Sequence, residues 1–245
     1  MRANYKLQRL FVDQALAEGL TVTPSPAQAH YLLNVLRMQS GAEILLFNGR
    51  DGEWSARLAQ ETKKVVRLIL GERTRVQTPT SQLLFCFAPL KAGRLDWLVQ
   101  RATEMGAGII QPVVTRHTQV RDPGLDRIRA NVIEAAEQCG VLSVPDVRET
   151  VPLDRLLAHW EKGRRLIFAD EDSSTNNPVP ALSAIDEQKL GLLIGPEGGF
   201  SDDERTMLRA LTFVTPVPLG PRILRADTAA VAALAVLQAV KGDWN

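Results

Sequence analysis

The stretch Leu192-Leu193-Ile194-Gly195-Pro196-Glu197-Gly198-Gly199-Phe200-Ser201-Asp202-Asp203-Glu204 constrains the fold more than any other part of the chain. An apolar run of strand character stops at Gly195, and the glycines and proline that follow exclude regular structure. Ser201 followed three residues later by Glu204 is a capping box, so a helix begins there. Strand, tight glycine loop and helix N-terminus in succession form the place where open α/β sheets hold ligands. With side chains removed, loop amides and carbonyls can touch a ligand directly. Glu197 is the only ionisable group in the loop. The same pattern would also serve a tight turn that merely joins strand to helix.

A second loop of the same kind follows, Leu219-Gly220-Pro221-Arg222-Ile223-Leu224-Arg225-Ala226-Asp227-Thr228. Two such loops can face each other across one crevice. Neither carries Gly-x-x-x-x-Gly-Lys-Ser/Thr or Gly-x-Gly-x-x-Gly, which speaks against a P-loop nucleotidase and a doubly wound oxidoreductase.

Upstream, the periodicity divides the chain. Residues 1–73 read as short strands around a helix from about Ala27 to Arg37, with the turn Asn48-Gly49-Arg50-Asp51-Gly52 joining antiparallel neighbours, and so predict a small β-barrel. Phe47 and Trp54 read as its core. Residues 74–82 are polar and aperiodic, a linker. Residues 83–245 alternate strand and helix, which predicts a parallel sheet covered by helices on both faces. The final helix, from Thr228 to Val240, is apolar almost all round, so burial is expected on every side, in the domain interior, a homodimer seam, or both. Asp227 reads as its N-cap. The loop from Asp170 to Pro178 is polar and reads as mobile.

The net charge of +1 conceals an asymmetry, because residues 1 to 75 carry an excess of four positive charges. Arg9, Arg37, Arg50, Arg57, Lys63, Lys64 and Arg67 decorate the barrel. This suits a polyanion such as RNA, and equally an ordinary solvated surface. Two cysteines, Cys86 and Cys139, are too few for a metal site or a disulfide framework. The first residues lack the apolar stretch of a signal peptide, and no run reaches the roughly 20 apolar residues of a membrane span. A cytoplasmic protein without metal is the expectation.

Several segments, taken in order, resemble one family. They are Arg9-Leu10-Phe11-Val12; His30 with Asn34-Val35-Leu36-Arg37 and Gly41; Lys91 with Gln100-Arg101-Ala102-Thr103-Glu104-Met105-Gly106; Glu134 to Gly140 before Val144-Pro145; Gly195 to Ser201; and Leu219 to Arg225. Together they resemble the bacterial 16S ribosomal RNA uridine-N3 methyltransferases of the SPOUT class, over essentially the whole chain. The resemblance implies a PUA-like barrel that helps hold RNA, then an α/β domain whose last strands and helix form a trefoil knot, and a homodimer. It implies S-adenosyl-L-methionine as cofactor and 16S rRNA in the small ribosomal subunit as partner. The cofactor would be held by Leu193, Gly195, Glu197, Gly198, Gly199, Leu219, Gly220, Ile223, Leu224, Arg225 and Thr228. For the chemistry, Arg222 or Arg225 would stabilise the uracil anion, and Glu197 or Asp227 would accept the N3 proton. Each also has a quieter reading: Glu197 as a brace of its own loop, the arginines as phosphate contacts or structural ion pairs. Arg9, Arg37, Lys91, Arg101 and Arg116 would contact RNA. The chain departs from the family pattern at Val141, where an arginine is expected, and at Ala226-Asp227-Thr228, where Thr-Glu-Thr is usual. Ribose 2′-O methylation and a non-catalytic RNA-binding role on the same fold are the alternatives.

Overall fold

The computed structural model describes residues 6–62, 65–170 and 175–244. Lys63 and Lys64 of the expected basic surface, residues 171–174 of the polar loop and residues 1–5 lie outside the described residues. The chain divides into two compact units, one made of residues 1–80 with 136–144 and the other of 81–135 with 145–245.

The first unit contains β1 (Arg9–Phe11), β2 (Thr21–Val22), α1 (Pro26–His30), β3 (Glu43–Phe47), β4 (Glu53–Gln60) and β5 (Val66–Arg75). These strands form their own sheet in the order β1-β3-β4-β5-β2, with β1 parallel to β3 and the remaining pairs antiparallel. Period-2 alternation sends Ile44, Leu46, Ala56, Leu58, Leu68 and Leu70 into one core with Leu10, Val22 and Leu32. Trp54 packs against that core half-buried, and Phe47 is fully buried in a separate cluster with Ala136 and Leu142. The Asn48–Gly52 turn is built on its own side chains. Asn48 Oδ1 accepts from the amides of Arg50 and Asp51, and Asp51 Oδ2 accepts from Leu16 N at 2.9 Å. That last bond, with the one from Asn48, holds the Asp51 carboxyl below its usual pKa.

Three expectations for this unit change. The helix expected through Arg37 is α1 followed by a π turn over Tyr31–Val35, which the left-handed Arg37 (φ 53°) ends. Strand β5 runs on to Arg75, past the expected boundary at 73, and residues 136–144 return to the unit from far along the chain. Arg9, expected to contact RNA, is only 3% exposed. Its Nε donates to Glu53 Oε2 at 2.8 Å, its Nη1 to the carbonyls of Ala136 and Glu137, and its Nη2 to that of Val141 at 2.7 Å. Arg75 Nη1 donates to Gly140 O at 2.8 Å. Carbonyls at a helix C-terminus have no partner within the helix, and these guanidinium groups supply the donors. Burial pulls the Arg9 pKa below its ordinary value, against the opposing pull of Glu53.

The second unit alternates strand and helix. It comprises β6 (Leu84–Phe87), α2 (Ala92–Glu104), β7 (Ile109–Val114), α3 (Leu125–Cys139, whose last turn falls in the first unit), β8 (Asp146–Val147), β9 (Val151–Pro152), α4 (Leu153–Ala158), β10 (Arg164–Ala169), α5 (Val179–Ser183), β11 (Lys189–Ile194), α6 (Asp202–Ala210), β12 (Val214–Val217) and α7 (Ala226–Lys241). The sheet is parallel, in the order β12-β10-β11-β6-β7-β8, with β9 beside β7.

Alternate strand residues face opposite ways. Leu84, Cys86, Leu166, Phe168 and Leu193 meet Leu153 and Leu157 of α4 and Leu208 of α6. The intervening Ile167 and Leu192 line a pocket against α5 and α7. Helices therefore cover both faces, as parallel strands require. Burial pushes the Cys86 thiol up to about 12. Within the single chain, helix α7 is covered on one flank. Ala226, Ala230, Ala233, Leu234, Leu237 and Gln238 are buried, whereas Val231, Ala232, Ala235 and Val236 are only partly covered, because α2, α5 and β11 pack against one flank.

Candidate active site

The first glycine loop leaves β11 at Gly195 and enters α6 through Ser201, whose side chain accepts from Glu204 N while the Glu204 carboxylate accepts from Ser201 N. The capping box therefore forms as read. Glycine at 195 is demanded by space, since a Cβ there would lie 2.7 Å from the Phe200 ring. That ring packs edge-on against Phe168, 5.1 Å between centroids, which anchors the loop on the sheet. The loop after β7 braces it from outside. His117 Nδ1 lies 3.2 Å from Gly198 O and 3.1 Å from Gly199 O, and so donates to carbonyls of the glycine loop. Arg116 N donates to Glu204 Oε1 at 2.8 Å.

The second loop leaves β12 through Leu219 and enters α7. Gly220 holds φ at 87°, a conformation that side-chain-bearing residues resist, although a Cβ there would meet nothing within 4 Å. Arg225, not Asp227, is the N-cap of α7, and its side chain makes no capping bond. Asp227 sits one position inside the helix, where its Oδ1 accepts from Thr228 N at 2.8 Å and its charge faces the positive helix end.

The loops meet through a residue the sequence did not mark. Arg94, in the first turn of α2, places Nη1 3.1 Å from Glu197 Oε1 and Nε 3.4 Å from Asp227 Oδ2. Its place near the start of an amphipathic helix gave no signal, since exposed helix arginines are common.

Next to the start of the second loop lies an apolar pocket at the carboxyl ends of β10, β11 and β12. Ile167, Ala169, Leu192, Val217 and Leu219 form its floor, and Leu182, Ala233 and Val236 close it from α5 and α7. Only Leu219 of these was named from the sequence. The others are core-type residues that nothing local distinguishes from ordinary packing.

The remaining candidates divide. Leu193 is fully buried with its side chain in the sheet core, so only its backbone can serve a ligand. Ile223 is 91% exposed and Leu224 half-buried. Arg222 and Arg225 are exposed and make no ion pair among the described residues, so the structural salt bridge considered for them is absent. Lys91 is the exposed N-cap of α2. Arg101 pairs with Glu104 at 2.7 Å and lies 5.8 Å from the Trp97 ring, and Arg116 is exposed beside the glycine loop. In the first unit Arg37 is exposed. Among the described residues no cluster of three His, Cys, Asp or Glu could hold a metal, and no helix is long and apolar enough to cross a membrane.

Comparison with known proteins agrees with this geometry. A family model described as an RNA methyltransferase domain matches residues 76–238, and one described as an RNA methyltransferase PUA domain matches residues 25–70. The ribosomal RNA small subunit methyltransferase E of Rickettsia conorii is 30% identical over 94% of this chain and 94% of its own. A structure of the same-named enzyme from Neisseria gonorrhoeae, bound to S-adenosyl methionine, superposes with a TM-score of 0.84 at 28% identity, covering 98% of this chain and all of the other. A methyltransferase from Legionella pneumophila in complex with the same cofactor gives 0.82 at 32% identity, covering 95% of this chain and 97% of the other. A parallel sheet ending in two glycine loops, a separate N-terminal sheet and matches across nearly the full length together show that the chain belongs to the ribosomal RNA small subunit methyltransferase E family.

Proposed function

We propose that this protein methylates N3 of a uridine in 16S rRNA of the small ribosomal subunit, in the cytoplasm, with S-adenosyl-L-methionine as donor. The observation that carries the reading is the apolar pocket at the carboxyl edge of the sheet, bordered by Leu219 at the start of the second glycine loop. The apolar lining suits the face of a flat purine, and bare loop carbonyls and amides suit its polar edges. The residues that would hold the donor are Gly195, Gly198, Gly199, Leu219, Gly220, Ile223 and Leu224, with backbone support from Leu193 and with Glu197, Arg225 and Thr228 at the margin. The bound donor supplies an activated methyl group on a sulfonium.

What the chain itself must do is align the acceptor and manage its charge. In-line displacement depends on alignment, so loops anchored by Phe200, His117 and Glu204 contribute by holding still. As the uracil loses its N3 proton, negative charge spreads over the flanking carbonyl oxygens. Arg222 and Arg225, exposed and without an acidic partner among the described residues, are the groups to offset it. Glu197 and Asp227 are the carboxylates within reach of the same crevice, and one of them takes the proton directly or through water. Arg37 in the first unit, and Lys91, Arg101 and Arg116 in the second, are assigned to the RNA backbone. The partly covered apolar flank of α7 supports a homodimer. The expected knot is supported by the chain path, since β12 lies outside β10 while α7 returns to pack on β11.

Small subunits from cells lacking this protein, incubated with it and labelled donor, should gain one methyl group in 16S rRNA. Mass spectrometry of the digested RNA should place it on a uracil base. A label on ribose would replace the reading with 2′-O methylation, and no label with titratable RNA binding would indicate a binding protein.

A further inference from the structure

We propose that Arg94 is a positioning residue for methyl transfer, tying the two glycine loops together through a shared ion pair before donor or RNA arrives. The proposal rests on the reading of the site given above. Glu197 belongs to the first loop and Asp227 to the first turn of the helix that follows the second, so 29 residues of chain, including α6 and β12, separate them. Arg94 reaches both, at 3.1 Å and 3.4 Å. Its own backbone is held firmly, because the adjacent Leu95 and the next turn's Leu98 and Val99 are buried.

The chemistry of the side chain fits this task. A guanidinium presents its N–H donors in one rigid plane and can serve two carboxylates at fixed angles, which a lysine ammonium cannot do. Without the cation, two negative groups would face one crevice and repel. All three side chains are partly buried, at 35%, 29% and 18% exposed, so solvent screens the pairing less than it would on an open surface. Asp227 is itself fixed by the bond from Thr228 N, and its short side chain leaves little slack. The position of α7 relative to the first loop is therefore set by the reach of Arg94.

The test compares Arg94→Ala, Arg94→Lys, Asp227→Asn and the double variant Arg94→Ala/Asp227→Asn. Two readouts are used: hydrogen exchange of the free protein and calorimetric titration with S-adenosylhomocysteine. In the free Arg94→Ala protein, amides of 196–200 and 226–229 should exchange faster while those of the sheet do not change. Its affinity for S-adenosylhomocysteine should fall about tenfold, with Arg94→Lys recovering part of the loss and the double variant no weaker than Arg94→Ala alone. Unchanged exchange at both loops, or losses from Arg94→Ala and Asp227→Asn that multiply in full, overturns the proposal. Should the unsubstituted protein take up no S-adenosylhomocysteine, the reading of the site fails, and exchange in the free protein still decides the role of Arg94.

Discussion

Arg9 Nε donates to Glu53 Oε2 at 2.8 Å, with the two side chains 3% and 1% exposed. A buried pair of this kind is costly to break, because without Arg9 the Glu53 charge keeps only the longer contact to Arg75 at 3.3 Å and the bond from Thr74. The arginine does more than neutralise Glu53. It also provides donors to the carbonyls of Ala136, Glu137 and Val141, and its face rests on the Phe47 ring at 4.3 Å. Arg9→Met should cost about 3–5 kcal/mol in urea unfolding. Arg9→Met combined with Glu53→Gln should recover only part of that, since the guanidinium bonds to the backbone carbonyls are lost in both variants. Full recovery in the double variant would show that the carbonyl bonds contribute nothing.

The two glycine loops should respond differently to one added methyl group. At Gly195 the methyl would press on the Phe200 ring, so Gly195→Ala must displace either the loop or the ring. A loss of about 1–3 kcal/mol and weakened binding of S-adenosylhomocysteine are expected. At Gly220 the space is open and only the positive φ is at stake, so Gly220→Ala should cost about 1–2 kcal/mol. Thermal melts and calorimetry of the two variants side by side measure the contrast.

Cys86 should resist alkylation. Its thiol is raised from an ordinary 9.0 to about 12 by burial, so Cys86 offers no thiolate at neutral or mildly alkaline pH. Iodoacetamide should label Cys139, which is only partly buried, and should reach Cys86 only after denaturation. The sign of the pH effect follows. Between 9.0 and about 12 the unfolded chain releases this proton while the folded one retains it, so stability falls as pH rises through that window. Cys86→Ser should flatten that alkaline fall.

In acid, Asp51, Glu161 and Glu187 set the slope. Hydrogen bonds from Leu16 N and Asn48 lower the Asp51 pKa from 3.8, those from Lys189 and Arg164 lower that of Glu161 from 4.5, and one from Arg165 lowers that of Glu187 from 4.5. Groups with lowered values add stability above their ordinary pKa, and that stability is lost as pH falls through the folded values. The urea midpoint should therefore drop below about pH 4, and Glu161→Gln should make the drop shallower. An unchanged profile would remove Glu161 from the account.

What could be read from the sequence was local. The capping box of Ser201 and Glu204, the turn at Asn48–Gly52 and the alternation from Leu84 to Val217 each depend on residues a few positions apart. What could not be read depends on distance along the chain. Arg9 carries the same charge whether it meets RNA or the carbonyl of Val141, and only the return of 136–144 decides between them. Arg94 became part of the site because α2 passes both loops. The pocket residues Ile167, Leu182 and Ala233 are chemically indistinguishable from core until the helices leave a gap over the sheet. The N-cap is Arg225 and not Asp227, although aspartate is the better capping residue by composition, because the backbone turns helical at Ala226.

A capping box is usually a private arrangement between the first residues of one helix. Here Glu204 uses its second oxygen on the amide of Arg116, so the start of α6 has a stake in a strand connection 88 positions earlier. Changes at Thr115 or Thr118, which bond each other at 2.9 Å and shape that connection, would be transmitted to the first glycine loop without touching it. Variation in that remote strand-to-helix link is thus a route by which the first glycine loop can be shifted while its glycines stay unchanged.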